Sequence, residues 1–198
     1  LPATTSDQGL ELTRDVPGNG IYGPSLTSRY TLVFDVYWPQ ASAGGYRALL
    51  QTNTANNDDG DLFIDGSDGL GISGNYVGEA PAGEWHRIAI VMRSASGEGQ
   101  MHKFIDGTFV GGQGTTGSGL DIRWALGQES LLFADENGET AEVYVSSIAF
   151  VGEAMSMEEV AAMGQATSGG PFDCGPPGEP LTHTLSGDAA IIAHRGDS

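Results

Sequence analysis

The chain has 198 residues, and its eight lysines and arginines face 26 aspartates and glutamates, which gives a net charge of −18. Nucleic acid and anionic membrane surfaces repel such an anion, so the charge excludes both as partners. No stretch approaches the roughly 18 apolar residues of a membrane helix, and a single cysteine excludes an internal disulfide. The 31 glycines are about twice the average usage and leave open whether the chain folds at all.

Strand signals begin in the first quarter of the chain. From Tyr30 to Trp38 apolar and polar side chains alternate, which is the period of a strand with one buried face. A longer apolar run from Trp85 to Met92 is typical of a strand covered on both faces. We expect Trp38 and Trp85 to fill the core, because each continues an alternating face. Shorter strand candidates are 46–51, 61–64, 70–73, 101–105, 108–110, 122–125 and 130–134.

Turn and cap signals divide these strands. Asp106-Gly107 predicts a tight hairpin, because both residues tolerate a positive φ. The last long strand, 142–151, is expected to place Tyr144 and Ile148 on one face and Val143 on the other. A capping box of Ser156 and Glu159 then predicts a short helix that ends at Gly164.

The composition changes after this helix. Residues 167–187 are rich in glycine and proline and are interpreted as a linker. The apolar run that follows is interpreted as the first strand of a second domain, which the chain contains only in part. The predicted organisation is a domain at 1–166, a linker at 167–187 and the start of a further domain at 188–198. The fold class of the first is all-β, an antiparallel two-sheet jelly-roll sandwich with one short helix.

Four segments, taken in order, resemble laminin-G-like or concanavalin A-like jelly-roll domains. The resemblance covers about residues 8 to 165 and implies two curved sheets, often with calcium at a loop rim. It also implies a secreted protein that binds sugars or mediates adhesion. The segments that carry it are 30–38, 83–90, the hairpin 104–111, and the strand and helix of 145–160.

The tail carries a second resemblance. Residues 191–196, Ile-Ile-Ala-His-Arg-Gly, are similar to the opening motif of glycerophosphodiester phosphodiesterases. In that family the residue matching His194 acts in acid–base catalysis and the residue matching Arg195 binds phosphate. The family's other catalytic groups would lie after Ser198, so the chain as given is not expected to be an enzyme by itself.

Two acidic stretches suggest a metal. Hard oxygen ligands on a loop suit calcium, and residues 56–61 and 135–139 are rich in them. The spacing is not that of an EF-hand, because Gly60 falls one place early and no glutamate closes the loop. Solvated acidic turns are the alternative. The candidate calcium ligands are Asn56, Asn57, Asp58, Asp59, Asp61 and Asp135.

Sugar chemistry gives two further expectations. A retaining glycosidase needs two carboxylates about 5–5.5 Å apart. The string Glu-x-Asp-x-x-Glu, with which the related jelly-roll glucanases present them, is absent, which argues against this activity. Sugar binding needs exposed aromatic rings and planar polar groups, and the candidates are Asn75, Tyr76 and Trp124. Tyr76 is expected in a loop, where packing against the protein is the alternative.

Three functions therefore remain. The first is a non-catalytic binding module, extracellular or in the cell envelope, which is stabilised by calcium and binds carbohydrate or a cell-surface ligand. It would be attached to a C-terminal fusion domain. The second is the N-terminal part of a secreted phosphodiesterase. The third is a purely structural or adhesive domain.

Overall fold

The computed structural model describes residues 9–14, 17–19, 24–95, 98–114, 123–172 and 189–192. Its strands form two six-stranded antiparallel sheets, which confirms the predicted jelly-roll sandwich. In spatial order the first sheet contains β1 (Leu10–Thr13), β10 (Glu129–Leu132), β3 (Arg47–Gln51), β4 (Leu62–Ile64), β5 (Leu70–Ile72) and β6 (Asn75–Val77). The second contains β12 (Ala189–Ile192), β11 (Tyr144–Val151), β2 (Arg29–Tyr37), β7 (Trp85–Ala95), β8 (Glu98–Ile105) and β9 (Thr108–Gly114).

The core lies between the two sheets, and alternation along β2 explains it. Tyr30, Leu32, Phe34 and Val36 point inward and are fully buried. Trp38 extends this face and is also buried, as expected from the sequence. Burial of large apolar side chains of this kind is the main favourable term in folding.

The predicted turn and cap have the expected geometry. Asp106 and Gly107 have φ values of 52° and 75°, so both residues of the β8–β9 hairpin adopt the left-handed region. Helix α1 spans Met157–Met163. The Ser156 hydroxyl accepts a hydrogen bond from the Glu159 amide at 3.2 Å, and the Glu159 carboxylate accepts one from the Ser156 amide at 2.7 Å. Gly164 ends the helix with a φ of 58°.

The outer face of the second sheet, which is the face that carries α1, has three rows of side chains across β11, β2 and β7. The first row lies under the helix and is apolar, with Val33, Ala89 and Ala149 packed with Val160. The second row is a buried ion pair with a hydroxyl. The third row lies at the end of the three strands, where Tyr144, Tyr37 and Trp85 pair in register.

The ion pair of the second row joins three strands and the helix. Arg87 donates two parallel hydrogen bonds to Asp35, at 2.7 and 2.8 Å, and the Ser147 hydroxyl donates a third at 2.9 Å. Arg87 also donates to the backbone carbonyl of Met163 at the end of α1. Bidentate geometry and complete burial make this a fixed contact.

A β-bulge between Val145 and Ser147 determines what the start of β11 exposes. Side chains of a regular strand alternate, so Tyr144 and Ser147, three residues apart, would face opposite sides. The extra residue, Ser146, places both on the outer face. Val145 therefore packs against the core together with Val143 and Ile148. The expectation that Tyr144 shares a face with Ile148 is wrong for this reason.

Other departures from the sequence expectations are local. Trp85 is 46% exposed, because it lies on the outer face beyond the reach of α1. The candidate strand at 122–125 does not form, since 123–125 is a turn and adjacent loop, although Leu126 makes an isolated bridge with Thr27. Strands β1 and β6 were not expected.

The apolar tail does form a strand, as the sequence indicates. β12 pairs antiparallel with β11, with Ile192 opposite Ile148, and so lies at an edge of the second sheet. The division into 1–166, 167–187 and 188–198 stays a prediction. Among the described residues, no helix has the length and apolar character needed to cross a membrane.

Candidate functional site: an acidic cluster and an aromatic row

The two acidic stretches of the sequence meet at one place. The Gly60 amide, in the loop between β3 and β4, donates to the Asp135 carboxylate at 3.1 Å across 75 positions of sequence. Glycine is required at position 60, because a Cβ there would lie 2.5 Å from the Phe63 ring. The hydrogen bond between Gly60 and Asp135 holds the first loop against the loop that follows β10.

The acidic cluster consists of Asp59, Asp135 and Glu139, each of which offers a carboxylate oxygen within 4.8 Å of the others. Asp135 is fully buried and is held by backbone amides: Gly60 donates to one of its oxygens, and Asn137 and Glu139 donate to the other at 3.2 and 3.1 Å. Asp59 is exposed and Glu139 is partly buried, so the group opens to solvent on one side.

These carboxylates repel one another. Burial and the charge of Asp135 raise the pKa of Asp59. Burial and the charges of Asp135 and Asp59 likewise raise the pKa of Glu139. The pKa of the adjoining Glu136 is raised by burial and by Asp135. Its Oε2 atom is shielded from solvent and has no hydrogen-bond partner among the described residues. The cluster therefore carries concentrated negative charge that a cation would relieve.

The structure separates Asp61 from this cluster. Its carboxylate accepts hydrogen bonds from the Thr52 amide and hydroxyl at 2.5 and 2.6 Å and lies 3.4 Å from Arg123. Burial nevertheless raises the pKa of Asp61 to about 6. Asp61 is therefore a buried structural carboxylate, which corrects its assignment as a candidate ligand beside Asp59.

The remaining candidate ligands of the first loop have local roles. Asn57 accepts a hydrogen bond from Asn53 at 2.6 Å, and Asp58 accepts one from the Asp59 amide at 2.9 Å. Asn56 is buried, with a φ of 46° that shapes the turn. Of the six candidates, the structure brings Asp59 and Asp135 into the cluster. It adds Glu139, which belongs to the acidic stretch 135–139 but is not among the six candidates.

The sequence candidates for sugar binding are differently placed. Trp124 is buried, and its indole N–H donates to the Asp61 carbonyl at 2.7 Å, so it offers no exposed ring and that assignment is wrong. Asn75 and Tyr76 lie in β6 rather than in a loop. The Asn75 side chain accepts a hydrogen bond from Lys103 at 2.8 Å. Tyr76 packs edge-on against Tyr46, with ring centroids 6.1 Å apart.

Besides Tyr46, which is 41% exposed next to Tyr76, exposed aromatic rings lie on the outer face of the second sheet. The aromatic row consists of Tyr37, Trp85 and Tyr144, and Trp85 and Tyr144 are 46% and 51% exposed. The Tyr37 ring lies 5.7 Å from Trp85 at an interplanar angle of 45°, and 5.9 Å from Tyr144 at 70°. The alternating pattern predicts Trp85 in the core. This prediction is wrong, because periodicity cannot show where the covering helix ends.

The proposed catalytic pair of the second resemblance, His194 and Arg195, lies outside the described residues. Nothing in the structure tests the phosphodiesterase hypothesis, which stays a prediction.

Comparison with known proteins supports the architecture. No protein-family model matches the sequence, and no curated protein matches it. Among solved structures, the chain is similar to a native heptameric SAP-like pentraxin from Limulus polyphemus. The two are 13% identical over 98% of this chain and 90% of the pentraxin, with a TM-score of 0.56.

Two further similarities involve sialidases. A Trypanosoma rangeli sialidase in complex with 2,3-difluorosialic acid is 17% identical over 78% of this chain and 27% of that one, with a TM-score of 0.49. The CBM40 of the Ruminococcus gnavus IT-sialidase, bound to α2,3-sialyllactose, is 17% identical over 79% of this chain and 96% of that one, with a TM-score of 0.46. The pentraxin similarity shows the fold, and it confirms the jelly-roll architecture that the first resemblance implied.

Proposed function

We propose that this domain is a non-catalytic extracellular binding module that is stabilised by calcium and recognises carbohydrate. The observation that carries the calcium part is the convergence of two acidic loops on the cluster of Asp59, Asp135 and Glu139. The solvent-shielded Glu136 Oε2 atom, which lacks a hydrogen-bond partner among the described residues, is independent support. The charge of −18 suits a hydrated extracellular surface.

The donor set fits calcium. Asp59, Asp135 and Glu139 supply hard carboxylate oxygens, and the exposed side of the cluster admits water molecules that would complete the six to eight ligands calcium takes. Asp135 is already oriented by three backbone amides, so it loses little freedom on binding. Bound calcium would neutralise the mutual repulsion and fix the β3–β4 loop against the loop after β10.

The carbohydrate part of the proposal depends on exposed aromatic rings. Apolar ring faces of sugars pack against exposed aromatic side chains, and the domain presents such rings in the aromatic row. The architecture is compatible with this function, because a rigid sandwich can hold a binding surface on its strands or loops. We propose that this module brings any attached C-terminal domain to a surface that bears glycans.

The calcium proposal is tested by thermal unfolding of the purified chain in EDTA and in calcium. A ligand present at a hundred times its dissociation constant stabilises the native state by about 2.7 kcal/mol, so we expect a clear rise in Tm. Asp59→Asn should lose this rise, because it removes a ligand at an exposed position. Asp65→Asn is the matched control, since Asp65 caps a turn by accepting from the Ser67 and Gly69 amides.

The control variant should retain the calcium-dependent rise, even though its Tm falls in both buffers. Equal melting of the wild type with and without calcium would contradict the calcium part of the proposal. A glycan array probed with the wild-type chain tests the carbohydrate part, which an array without any signal would overturn.

A further inference from the structure

We propose that Tyr37, Trp85 and Tyr144 form the binding site for a neutral oligosaccharide chain. This proposal rests on the proposed carbohydrate-binding function and assigns it to the outer face of the second sheet, away from the acidic cluster. The rings of Trp85 and Tyr144 are exposed, Tyr37 lies between them and is partly buried, and all three are carried by paired strands.

The row is pre-organised by the neighbouring row of the same face. Two residues before Tyr37 lies Asp35, and two residues after Trp85 lies Arg87, and these two form the buried bidentate ion pair. The bulge at Ser146 turns Tyr144 to the same side. A ligand would therefore meet rings that are already in place, which lowers the entropy cost of binding.

The spacing and tilt of the rings indicate the shape of the ligand. Adjacent strands lie about 4.8 Å apart, so three strands present rings over roughly 10 Å, a span that a disaccharide unit can cover. The rings are inclined to Tyr37 by 45° and 70° and share no common plane. Such a surface suits a single twisted chain in solution rather than the flat face of a crystalline polysaccharide.

Charge indicates that the ligand is neutral. Glu142 precedes Tyr144 by two residues and is exposed. It acts on the row directly, because its hydrogen bond and its charge raise the pKa of Tyr144. A carboxylate in this position accepts hydrogen bonds from sugar hydroxyls and repels anionic sugars.

A second copy of the chain is a poorer occupant. A stable protein interface buries about 800 Å² on each partner, whereas a fully buried aromatic side chain contributes about 150–250 Å². Three rings that are already partly covered supply only a fraction of that area. Two copies of a chain with a charge of −18 also repel each other.

Trp85 provides its own reporter. Of the three tryptophans, Trp38 and Trp124 are each 1% exposed, so quenching of fluorescence by acrylamide reports mainly on Trp85. We would titrate the wild type with neutral hexasaccharides of glucose, xylose and mannose, and with an oligogalacturonate as the anionic probe. At least one neutral chain is expected to protect Trp85 from quenching, and the oligogalacturonate is not.

Variants then assign the binding to the row. In calorimetry, Trp85→Ala and Tyr144→Ala should each weaken the binding of the neutral oligosaccharide at least tenfold. Phe109→Ala is the matched control, since Phe109 is 42% exposed on β9 outside the row, and it should bind normally. Tyr144→Ala, at the most exposed ring, keeps the test valid should the tryptophan variant fail to fold. Binding should persist in EDTA, because the contacts that the structure describes for the row involve none of Asp59, Asp135 and Glu139.

The possible failures are distinguishable. If Trp85→Ala and Tyr144→Ala bind neutral glycans as well as the wild type does, the aromatic row is overturned as the site and the carbohydrate function is left standing. No binding of any glycan overturns both. Trp85-dependent binding without a calcium-dependent rise in Tm supports the row and removes only the calcium part. A concentration-dependent dimer that Trp85→Ala dissociates would overturn the row as a sugar site.

Discussion

The acidic cluster is assembled from two loops by backbone amides, whereas the aromatic row is carried by three paired strands beside a buried ion pair. In the cluster the neighbouring groups are like charges, and burial together with the charge of Asp135 raises the pKa of Asp59 and of Glu139. In the row, the neighbours are rings in contact, and the charges of the adjacent row are opposite and paired. One region thus depends on what the solution supplies, and the other is complete without it.

This difference separates two kinds of binding surface on one scaffold. The strand-borne surface is expected to keep its shape across pH and calcium concentration. The loop-borne surface is expected to change its stability with both, because its carboxylates are brought together at an energetic cost. Four substitutions or titrations test this contrast.

The largest effect is expected at the buried ion pair beside the aromatic row. Asp35→Ala leaves the Arg87 guanidinium buried without its carboxylate partner, and removal of one member of a buried pair typically costs about 3–5 kcal/mol. Urea denaturation should show a loss of this size in the free energy of unfolding. The double variant Asp35→Leu/Arg87→Met should recover much of it. A single variant as stable as the wild type would show that the row needs no such support.

A strand-borne charge gives the next effect. Lys103 is fully buried and donates to the Asn75 carbonyl and side chain at 2.7 and 2.8 Å, and burial lowers its pKa to about 8. The folded protein releases this proton near pH 8 and the unfolded chain near 10.5. Stability should therefore rise between these values, by on the order of 2 kcal/mol. Lys103→Met should flatten that rise in denaturation curves measured from pH 7 to 11.

The acidic cluster should respond in the opposite direction. The pKa of Asp59 is raised in the folded protein, so the native state binds its proton more tightly than the unfolded chain does. The resulting stability is present below the ordinary carboxyl value and is lost as pH rises through the raised one. In EDTA the wild type should lose more stability than Asp59→Asn over this range, by less than about 1 kcal/mol. Saturating calcium should reverse the sign of the difference, because calcium binds the deprotonated carboxylate and so stabilises the wild type as the pH rises. A difference that calcium leaves unchanged would exclude Asp59 as a ligand.

The smallest expected change concerns Asp61. Its carboxyl should titrate near pH 6 in a ¹³C NMR experiment, since burial raises its pKa to about 6. Because its oxygens contact Thr52 and Arg123 rather than the cluster, calcium should leave this midpoint nearly unchanged. A metal ligand must be deprotonated, so direct ligation would lower the midpoint. Such a shift would return Asp61 to the site.

Local chemistry made much of the fold predictable. The alternation from Tyr30 to Trp38, the Asp106-Gly107 turn and the Ser156–Glu159 cap each depend on a few neighbouring residues, and each is observed. Sequence periodicity also placed the two acidic stretches in loops. It could not show that Asp59 and Asp135 face each other, because strands β3, β4 and β10 bring those loops together.

The errors have the same origin. The sequence pattern predicts a buried Trp85 and an exposed Trp124, yet the first is exposed and the second is buried. What decides is coverage by other parts of the chain: α1 ends before it reaches Trp85, and the β3–β4 loop provides the carbonyl that holds Trp124. Tyr144 was misplaced by a single bulged residue, which leaves no clear signal in the sequence.

That bulge means that the start of β11 carries one residue more than its pairing needs. Deletion of Ser146 would leave Val145 opposite Val36 and Ser147 opposite Asp35, and Tyr144 would then lie two residues before Ser147 in regular alternation, still on the outer face. A slip of the pairing by one residue, with Ser146 taking the place opposite Val36, would instead remove Tyr144 from its position opposite Tyr37. The aromatic row would thus survive an in-frame loss of three bases at this codon, whereas a one-residue change of register would cost it one ring.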